Sequence, residues 1–417
     1  MSHSHNGVTS IDGQPCLNFA SNDYLGLSQN QEVLQSYVEG LAQYGAGAGA
    51  SSVVSGYIKP HYELENLICE LFNKPAALLF SSGFAANQAI VAALFANGHN
   101  DDAIVCDKLM HASFIDSALA QKAKLLRFKH NDLNHLSSKL KLASGNTLVA
   151  TEGVFSMDGD MGELAAIAKL ATVRAPKLDS FTTQKSVHSV HTMLMVDDAH
   201  GFGVVGKNGL GVCDLDEVEP NDIDVIMATF GKAIGTAGAF VACSEALADY
   251  FVNFAKHYIY STAVGPAQAL ASIKSIQIMQ QSHLRERLHE NIAHFRTLAL
   301  EHDLPLLRHK RRDANTATAA GAQALGATIN TSEYSSSAIQ PILIRPQNDS
   351  GGISQENLCV RASKALMALG IFVPAIRTPT VPKGMERLRV TLSAVHTKKD
   401  IEALIDALCI SRTQLGW

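Results

Sequence analysis

Between residues 76 and 245 the chain alternates short apolar runs with longer amphipathic stretches. A short apolar run bounded by polar residues is typical of a buried strand, and an amphipathic stretch between two such runs is typical of a helix that covers a sheet. The alternation therefore predicts an α/β fold, in which a mostly parallel sheet carries helices on both faces. The predicted strands are 77–80, 103–106, 125–128, 147–151, 193–196, 225–229 and 239–243.

The pattern changes after about residue 265, where a long helical region over residues 267–300 precedes a mixture of strands and helices. Because 417 residues exceed what one hydrophobic core usually serves, we expect more than one domain. Two polar stretches, 175–191 and 314–337, contain little to bury and are predicted to be surface insertions, the second of them mobile. The predicted divisions are an N-terminal segment 1–30, a large domain 31–265 and a smaller C-terminal α+β domain 266–417.

The composition argues against several kinds of partner. A formal net charge of -5 gives no sign of binding to nucleic acid or to an anionic membrane, and no apolar run approaches the length of a membrane span. The seven cysteines are scattered and form no C-x-x-C pair, so neither a disulfide framework nor a zinc site is supported. We expect a reduced, soluble, cytoplasmic protein that binds no metal.

One lysine occupies an unusual place for a charged side chain. The predicted strand 225–229 leads directly into the glycine-rich turn 230–235, which contains Lys232. An ammonium group is seldom buried without a partner, and burial lowers the pKa of a lysine and makes its amine a usable nucleophile and base. Lys232 is therefore a candidate for Schiff-base chemistry. A surface lysine in a glycine-rich turn is the alternative interpretation.

Other predicted strands also end in polar or small residues. The first strand leads into Ser81-Ser82-Gly83-Phe84, a turn that opens a helix, and the backbone N–H groups of a helix start suit a phosphate. The second strand leads to His111, at the start of another predicted helix. Each signal is weak alone, because such a turn is compatible with an ordinary helix cap and such a histidine with a hydrogen-bonded surface residue.

The strand 193–196 is followed by Asp197-Asp198-Ala199-His200. A carboxylate directly after four apolar residues is costly unless a cation pairs with it, and a protonated ring nitrogen would be such a cation. A metal half-site formed by Asp197 and His200 is the alternative, but no second cluster with ligand spacing accompanies it. Together with Lys232, His111 and the phosphate turn, this carboxylate supplies what pyridoxal phosphate requires of a protein.

These motifs occur in the order found in α-oxoamine synthases, and the chain resembles that family over residues 17–396, nearly its whole length. The family belongs to the fold-type I pyridoxal-phosphate enzymes, so the resemblance implies their mostly parallel central sheet and smaller C-terminal domain. It also implies pyridoxal 5'-phosphate as the cofactor and a homodimer with active sites at the subunit interface.

The resemblance further implies a role for individual residues. Lys232 would form the Schiff base, Asp197 would pair with the pyridinium nitrogen and His111 would stack on the ring, and these three are the predicted catalytic residues. Asp197 rather than Asp198 is chosen because the family's aspartate lies three residues before the histidine that corresponds to His200. The other cofactor contacts implied are Gly83, Phe84, Ser156, His200, Thr229 and Thr262, and the substrate contacts implied are Asn22, Arg377 and Thr380.

Within the family, residues 54–57 and 375–382 most resemble the branch that joins L-alanine to pimeloyl-CoA or a pimeloyl-carrier protein. That reaction yields 8-amino-7-oxononanoate, CO2 and a free thiol in biotin biosynthesis. The alternative is a branch that uses glycine, such as glycine C-acetyltransferase (2-amino-3-ketobutyrate CoA ligase). Family members usually carry a longer N-terminal segment with an arginine near the acyl substrate. The 17 residues before Asn18 contain none, so we expect different acyl contacts or a shortened chain.

Overall fold

The computed structural model describes residues 4–5, 7–174, 191–309, 335–346 and 355–417. Of the insertions predicted at 175–191 and 314–337, only residue 191 and residues 335–337 belong to this part, so the interpretation of both stretches lies outside the described residues. Among the helices that the structure describes, none is both long enough and apolar enough to cross a membrane.

Strands and helices alternate through the middle of the described chain. The strands are β1 (Ser4–His5), β2 (Val8–Ile11), β3 (Gln14–Asn18), β4 (Ala76–Phe80), β5 (Ala103–Asp107), β6 (Lys124–Phe128), β7 (Thr147–Glu152), β8 (Thr192–Asp197), β9 (Val225–Thr229), β10 (Ala239–Cys243), β11 (Ile339–Leu343), β12 (Ile371–Phe372), β13 (Ala375–Ile376) and β14 (Arg387–Thr391). The helices are α1 (Gln31–Tyr44), α2 (Lys59–Phe72), α3 (Gly83–Leu94), α4 (Ala112–Leu119), α5 (Leu133–Leu140), α6 (Leu164–Arg174), α7 (Val212–Leu215), α8 (Glu245–Phe254), α9 (Lys256–Ile259), α10 (Pro266–Gln281), α11 (Leu284–Glu301), α12 (Gln355–Ala368) and α13 (Lys398–Leu415).

Seven strands form the central sheet in the order β4-β10-β9-β8-β7-β5-β6. Neighbouring strands run parallel, except that β10 is antiparallel to both β4 and β9. Each predicted strand is present, and no boundary differs from the prediction by more than one residue. The mostly parallel sheet predicted from the alternation is therefore confirmed.

The central strands are continuous apolar runs because both faces of the sheet are covered. In β4, Leu78 and Phe80 belong to one cluster of buried apolar side chains, whereas Ala77 and Leu79 belong to another. Successive side chains of a strand point to opposite faces, so the two clusters lie on opposite sides of the sheet. Burying one large apolar side chain contributes roughly 1.5–3 kcal/mol, and this burial fixes the sheet on both sides.

A smaller antiparallel sheet, in the order β11-β14-β13, lies in the C-terminal part. The hairpin β2–β3 joins this part, because β3 pairs in parallel with β12. The hairpin strands and β12 were not predicted, since so short a strand carries little periodic signal. The single helical region predicted over 267–300 is corrected to two helices, α10 and α11, because Ser282 adopts an extended conformation and ends α10. The division into 1–30, 31–265 and 266–417 stays a prediction.

The polar residues at the strand ends lie along one edge of the central sheet, because the strands that carry them run in the same direction. β4, β5, β7, β8 and β9 all run the same way, so the residues that follow them lie along the same edge. Ligand sites of α/β sheets are found outside the carboxyl ends of their parallel strands. The predicted site residues that follow these strands are Gly83, His111, Ser156, His200 and Lys232, with Asp197 and Thr229 as the last residues of β8 and β9.

Candidate active site

The start of α3 packs directly against the end of β9. A Cβ atom at Gly83 would lie 2.6 Å from Thr229 Cγ2, so the position accepts only glycine without a local shift. Ser82 caps the helix, because its Oγ accepts a hydrogen bond of 3.1 Å from Ala85 N. The first N–H groups of a helix have no intrahelical acceptor, so this end offers donors to an anion, and Phe84 next to it is half-exposed.

Asp197 is a buried carboxylate with two donors. Its Oδ2 accepts a hydrogen bond of 2.8 Å from Asn87 Nδ2, and its Oδ1 accepts one of 3.2 Å from Ala199 N. These bonds offset part of the cost of taking a charge out of water. The sequence prediction missed Asn87, although an amide on the buried face of α3 was a visible signal.

Asp198, by contrast, forms its hydrogen bonds with the loop that follows β8. Its Oδ2 accepts a hydrogen bond of 2.6 Å from Val212 N. Burial, and to a smaller extent the charge of Asp197, raises the pKa of Asp198 to about 7, although the backbone hydrogen bonds to its carboxyl group oppose this shift. A Cβ at any of three glycines would lie about 2 Å from this carboxyl group; they are Gly153, Gly201 and Gly211. Asp198 therefore anchors the loop, which favours Asp197 as the carboxylate of the site.

Lys232 is half-buried in the turn after β9. Burial lowers the pKa of Lys232, and the nearby carboxyl groups of Asp197 and Glu152 oppose that shift. The turn is closed by hydrogen bonds of 2.9 Å from Gly235 N to the Lys232 carbonyl and from Thr236 N to the Phe230 carbonyl. The prediction of a desolvated amine at this strand end agrees with this environment.

Glu152, the last residue of β7, is a buried carboxyl group that the sequence prediction did not assign to the site. It lies in register with Asp197 on the neighbouring strand. Burial raises the pKa of Glu152 well above its ordinary value, and the charge of Asp197 adds to this, while Lys232 and hydrogen bonds from the backbone of Ser156 and His111 lower it. The signal that could have revealed it is the one used for Asp197, an acid directly after an apolar strand.

His200 is buried and is held by a tyrosine from the N-terminal segment. Its Nδ1 lies 2.6 Å from the hydroxyl of Tyr24, and that hydroxyl also lies 3.2 Å from Asn22 Oδ1. Burial lowers the pKa of His200 well below its ordinary value, and the positive charge of Lys232 adds to the shift. Burial raises the pKa of Tyr24 to about 12. The pair is therefore a neutral imidazole and a phenol at physiological pH.

Arg389 brings the C-terminal part of the chain to the site. It is buried in β14, its Nε donates a hydrogen bond of 2.6 Å to the Ser156 carbonyl, and its Nη1 donates one of 3.3 Å to Asn22 Oδ1. Two predicted site residues are thus linked by one guanidinium group. The sequence prediction missed Arg389, because nothing local distinguishes it from a surface arginine on an edge strand.

The loop that carries Ser156 is held by the ion pairs of a partly buried histidine, His130. His130 Nε2 lies 2.7 Å from Asp160 Oδ2, and its Nδ1 lies 3.1 Å from Asp107 Oδ1. Burial alone would lower the pKa of His130, but the two hydrogen-bonded carboxylates outweigh it and raise that pKa to about 10. His130, Asp158 and Asp160 are spaced closely enough to hold a metal ion, yet the imidazole already bonds Asp160, and Arg387 Nη1 donates to Asp158 at 2.7 Å. Ion pairs therefore already occupy Asp160 Oδ2 and Asp158 Oδ1, whereas Asp160 Oδ1 has no hydrogen-bond partner in the described part of the chain.

Five predicted site residues are exposed, namely Phe84, His111, Thr262, Arg377 and Thr380. Thr262 is exposed and forms an isolated β-bridge with Ser51, while Arg377 and Thr380 are exposed on the loop between β13 and β14. The Arg377 carbonyl accepts a hydrogen bond of 3.0 Å from Thr380 N, which fixes the shape of that loop. The structure thus groups Asn22, Gly83, His111, Ser156, Asp197, His200, Thr229 and Lys232 around one sheet edge, and the substrate roles of Arg377 and Thr380 stay predictions.

Comparison with known proteins finds relatives that are similar to this chain in sequence and in fold. The 8-amino-7-oxononanoate synthase of Yersinia pestis (strain Pestoides F) is 43% identical over 394 residues, which cover 94% of this chain and 88% of the relative. The crystal structure of 8-amino-7-oxononanoate synthase from Francisella tularensis superposes with a TM-score of 0.72 at 29% identity, covering 96% of this chain and 98% of that one.

A third match has a similar fold at a lower sequence identity. Sphingomonas wittichii serine palmitoyltransferase superposes with a TM-score of 0.82 at 23% identity, covering 99% of this chain and 90% of that one, and at this identity the likeness shows the fold alone. The resemblance to α-oxoamine synthases and the fold-type I architecture are confirmed. Since residues 14–408 match the corresponding family over most of the sequence, the chain belongs to the aminotransferase class I and II family.

Proposed function

We propose that this protein catalyses the pyridoxal-phosphate-dependent condensation of L-alanine with pimeloyl-CoA or a pimeloyl-carrier protein. The products are 8-amino-7-oxononanoate, CO2 and the free thiol, and the reaction belongs to biotin biosynthesis. The observation that carries the proposal is the 43% identity, over 94% of the chain, to a synthase of that name in Yersinia pestis. The site geometry supplies the chemistry that such a reaction requires.

The residues present fit pyridoxal phosphate. Thr229 Oγ1, Asn87 Oδ1 and Glu152 Oε1 are buried and have no hydrogen-bond partner in the described part of the chain. An unpartnered buried polar atom costs about 1–3 kcal/mol, so a polar ligand bound here would be stabilised by these groups. Lys232 would hold the aldehyde carbon, Asp197 the ring nitrogen, His111 one ring face and the start of α3 the phosphate.

When bound, the cofactor supplies an electron sink for the α carbon of the amino acid. Lys232 Nζ is the base for the Cα proton, because its lowered pKa increases the uncharged fraction of the amine at neutral pH. Asp197 supplies the negative charge that holds a proton on the ring nitrogen. Arg377 binds the substrate carboxylate, with Thr380 and Asn22 beside the substrate, since a guanidinium fork matches a carboxylate.

The bonds balance with one further proton, which the leaving thiolate takes up from solvent to become the free thiol. The α carbon of alanine forms a bond to the acyl carbonyl carbon, and the carbon–sulfur bond of the thioester breaks to release the thiol. The bond from the α carbon to its carboxylate then breaks and releases CO2. Lys232 or His111 returns a proton to the α carbon, and both lie at the carboxyl edge of the sheet.

We further propose that the protein is a homodimer with shared active sites. Val53, Val54, Tyr57, Phe84 and Tyr260 leave apolar area exposed, and we call this set the apolar face. They border the site, because Ser52, Ser81 and Thr262 line one small pocket between them. As the resemblance to the family implies, a second copy would contribute its own Thr262 to the phosphate site of the first. Exposed apolar patches of this kind mark protein interfaces.

The dimer is tested by mass measurement in solution. Light scattering should give about twice the chain mass of 44.6 kDa, and Tyr260→Asp should give a monomer. Leu142→Asp is the control, since Leu142 is an exposed leucine outside the apolar face. A monomeric wild-type protein with full activity would contradict the dimer. We also propose a cytoplasmic location, because all seven cysteines are free thiols, as is usual in a reducing compartment.

The proposed reaction is tested by thiol release. The holoenzyme is assayed with L-alanine or glycine against acyl-CoA thioesters of increasing chain length and against pimeloyl-carrier protein. We expect L-alanine with the pimeloyl thioester to give the highest kcat/KM. A clear preference for glycine and a short acyl group would instead assign the glycine C-acetyltransferase reaction, and no thiol release with any pair would contradict both.

A further inference from the structure

A chain of hydrogen bonds connects Asp197 with His111 through two residues that the sequence prediction did not assign. Asn87 Nδ2 lies 2.8 Å from Asp197 Oδ2 and 3.0 Å from Ser113 Oγ, and Ser113 Oγ lies 2.8 Å from His111 Nδ1. Asn87, Ser113 and Asp197 are buried, so water does not compete for the two bonds of Asn87, whereas the bond from Ser113 to the exposed His111 is only partly buried. The chain spans α3, β8 and the start of α4.

The directions of the two hydrogen bonds made by Asn87 follow from the chemistry of the groups involved. A carboxylate can only accept, so the amide group of Asn87 must turn its NH2 towards Asp197. The same nitrogen then donates its second hydrogen to Ser113 Oγ, since an amide nitrogen does not accept. The reversed amide would set Oδ1 against the carboxylate, with two acceptors in contact. The Ser113 hydroxyl can still either donate its own hydrogen or accept a second one, so the direction of its bond to His111 Nδ1 is decided at the ring nitrogen.

A second donor faces the same ring nitrogen. Ser113 N lies 3.2 Å from His111 Nδ1, so the nitrogen receives hydrogen bonds from both the backbone and the side chain of Ser113. A nitrogen that accepts two hydrogen bonds cannot carry a hydrogen of its own. The imidazole hydrogen is therefore on Nε2, the nitrogen away from the α4 start.

We propose that Asn87 and Ser113 are positioning residues, which tie the orientation of the Asp197 carboxylate to that of the His111 ring and keep His111 as the Nε2–H tautomer. This inference rests on the proposed function, because it concerns two groups that would bind the cofactor. It adds a specific consequence: His111 is a hydrogen-bond or proton donor through Nε2 alone. Its ring plane is set by the bonds at Nδ1 and not only by stacking.

The experiment measures the tautomer directly. The holoenzyme is prepared with 15N-labelled histidine, and the His111 signals are identified by their loss in His111→Gln. We expect an unprotonated Nδ1 and a protonated Nε2 in the wild-type enzyme. In Ser113→Ala, the Nδ1 signal should move towards that of a nitrogen with a weaker hydrogen bond, and the Kd for pyridoxal phosphate should rise about tenfold, equivalent to about 1.4 kcal/mol. Ser113→Thr keeps the hydroxyl and should restore both quantities.

Ser117→Ala is the matched control, because Ser117 is equally buried on the same helix but donates to the Gln88 carbonyl at 3.2 Å. It should leave the His111 signals unchanged. A hydrogen on Nδ1 in the wild-type enzyme overturns the proposal, and this measurement needs no variant to fold. Equal shifts in Ser113→Ala and Ser117→Ala, or none in either, also overturn it. If the wild-type chain does not bind pyridoxal phosphate, the proposed function fails, whereas the tautomer still tests the hydrogen-bond chain.

Discussion

Glu152 and Asp197 end the neighbouring parallel strands β7 and β8 in register, and both carboxyl groups are buried. Two adjacent carboxylates in a region of low dielectric repel each other, so one of them holds a proton. Asp197 has two hydrogen-bond donors at 2.8 and 3.2 Å, whereas burial and the charge of Asp197 raise the pKa of Glu152. These contacts favour Glu152 as the member of the pair that holds the proton.

The first prediction concerns the charge of Glu152. Glu152→Gln mimics the protonated acid and should change kcat/KM by less than about threefold, since it leaves the charge of the site unaltered. Glu152→Ala removes the acceptor for the backbone N–H groups of His111 and Ser156. It should lower kcat/KM about tenfold or more, because an unpartnered buried donor costs about 1–3 kcal/mol. Steady-state thiol release measures both variants.

The raised pKa of Glu152 also predicts how the free energy of unfolding changes with pH. The pKa of Glu152 is raised in the folded chain, so between pH 4.5 and that raised pKa the folded chain holds a proton that the unfolded chain releases. The free energy of unfolding therefore falls as pH rises, and Glu152→Gln should become more stable than the wild type with increasing pH. Glu70→Gln is the control, since Glu70 is an exposed glutamate on α2. A difference between Glu152→Gln and wild type that does not grow with pH would refute the assignment.

The second prediction concerns the contact between α3 and β9. Gly83→Ala should destabilise the protein by about 1–3 kcal/mol, because its Cβ would lie 2.6 Å from Thr229 Cγ2. Thr229→Ser removes Cγ2 and keeps the hydroxyl. The double variant should recover most of the loss, as measured by denaturant unfolding. Additive effects of the two changes would show that this contact is not the cause.

The third prediction concerns Lys232. Lys232→Ala should lower kcat by about 10²–10⁴-fold, the usual contribution of a general acid or base, and should abolish borohydride labelling of the holoenzyme. Its far-UV circular dichroism should match the wild type, because the Lys232 side chain is only half-buried. Covalent retention of the cofactor by Lys232→Ala would contradict the assignment.

The fourth prediction concerns the ion pairs that His130 forms with Asp107 and Asp160. The two bonded carboxylates raise the pKa of His130 to about 10, against 6.5 for an unperturbed histidine. The contribution of these ion pairs to the free energy of unfolding is complete below pH 6.5 and is lost as pH rises through about 10. His130→Asn should therefore be destabilised most below pH 6.5 and least above pH 10, as measured by urea unfolding across that range. A destabilisation that does not depend on pH would indicate a role in packing alone.

Local patterns explain why much of the fold could be predicted. The central strands are continuous apolar runs, because the sheet is covered on both faces, and each run was found to within one residue. The strand-end positions of Asp197 and Lys232 followed directly from the positions of those runs. The short strands β3 and β12 escaped prediction, because their pairing depends on a partner hundreds of residues away.

The sequence by itself determined the order of the strands along the chain and the residue types at their carboxyl ends, because both depend on periodicity over a few neighbouring residues. Only the tertiary structure decided which side chains meet there. Arg389 reaches Ser156 from β14, and Glu152 faces Asp197 through strand register. Asn87 joins Asp197 to Ser113 through the packing of α3 against α4. These contacts depend on distances between elements remote in sequence, and no local pattern records them.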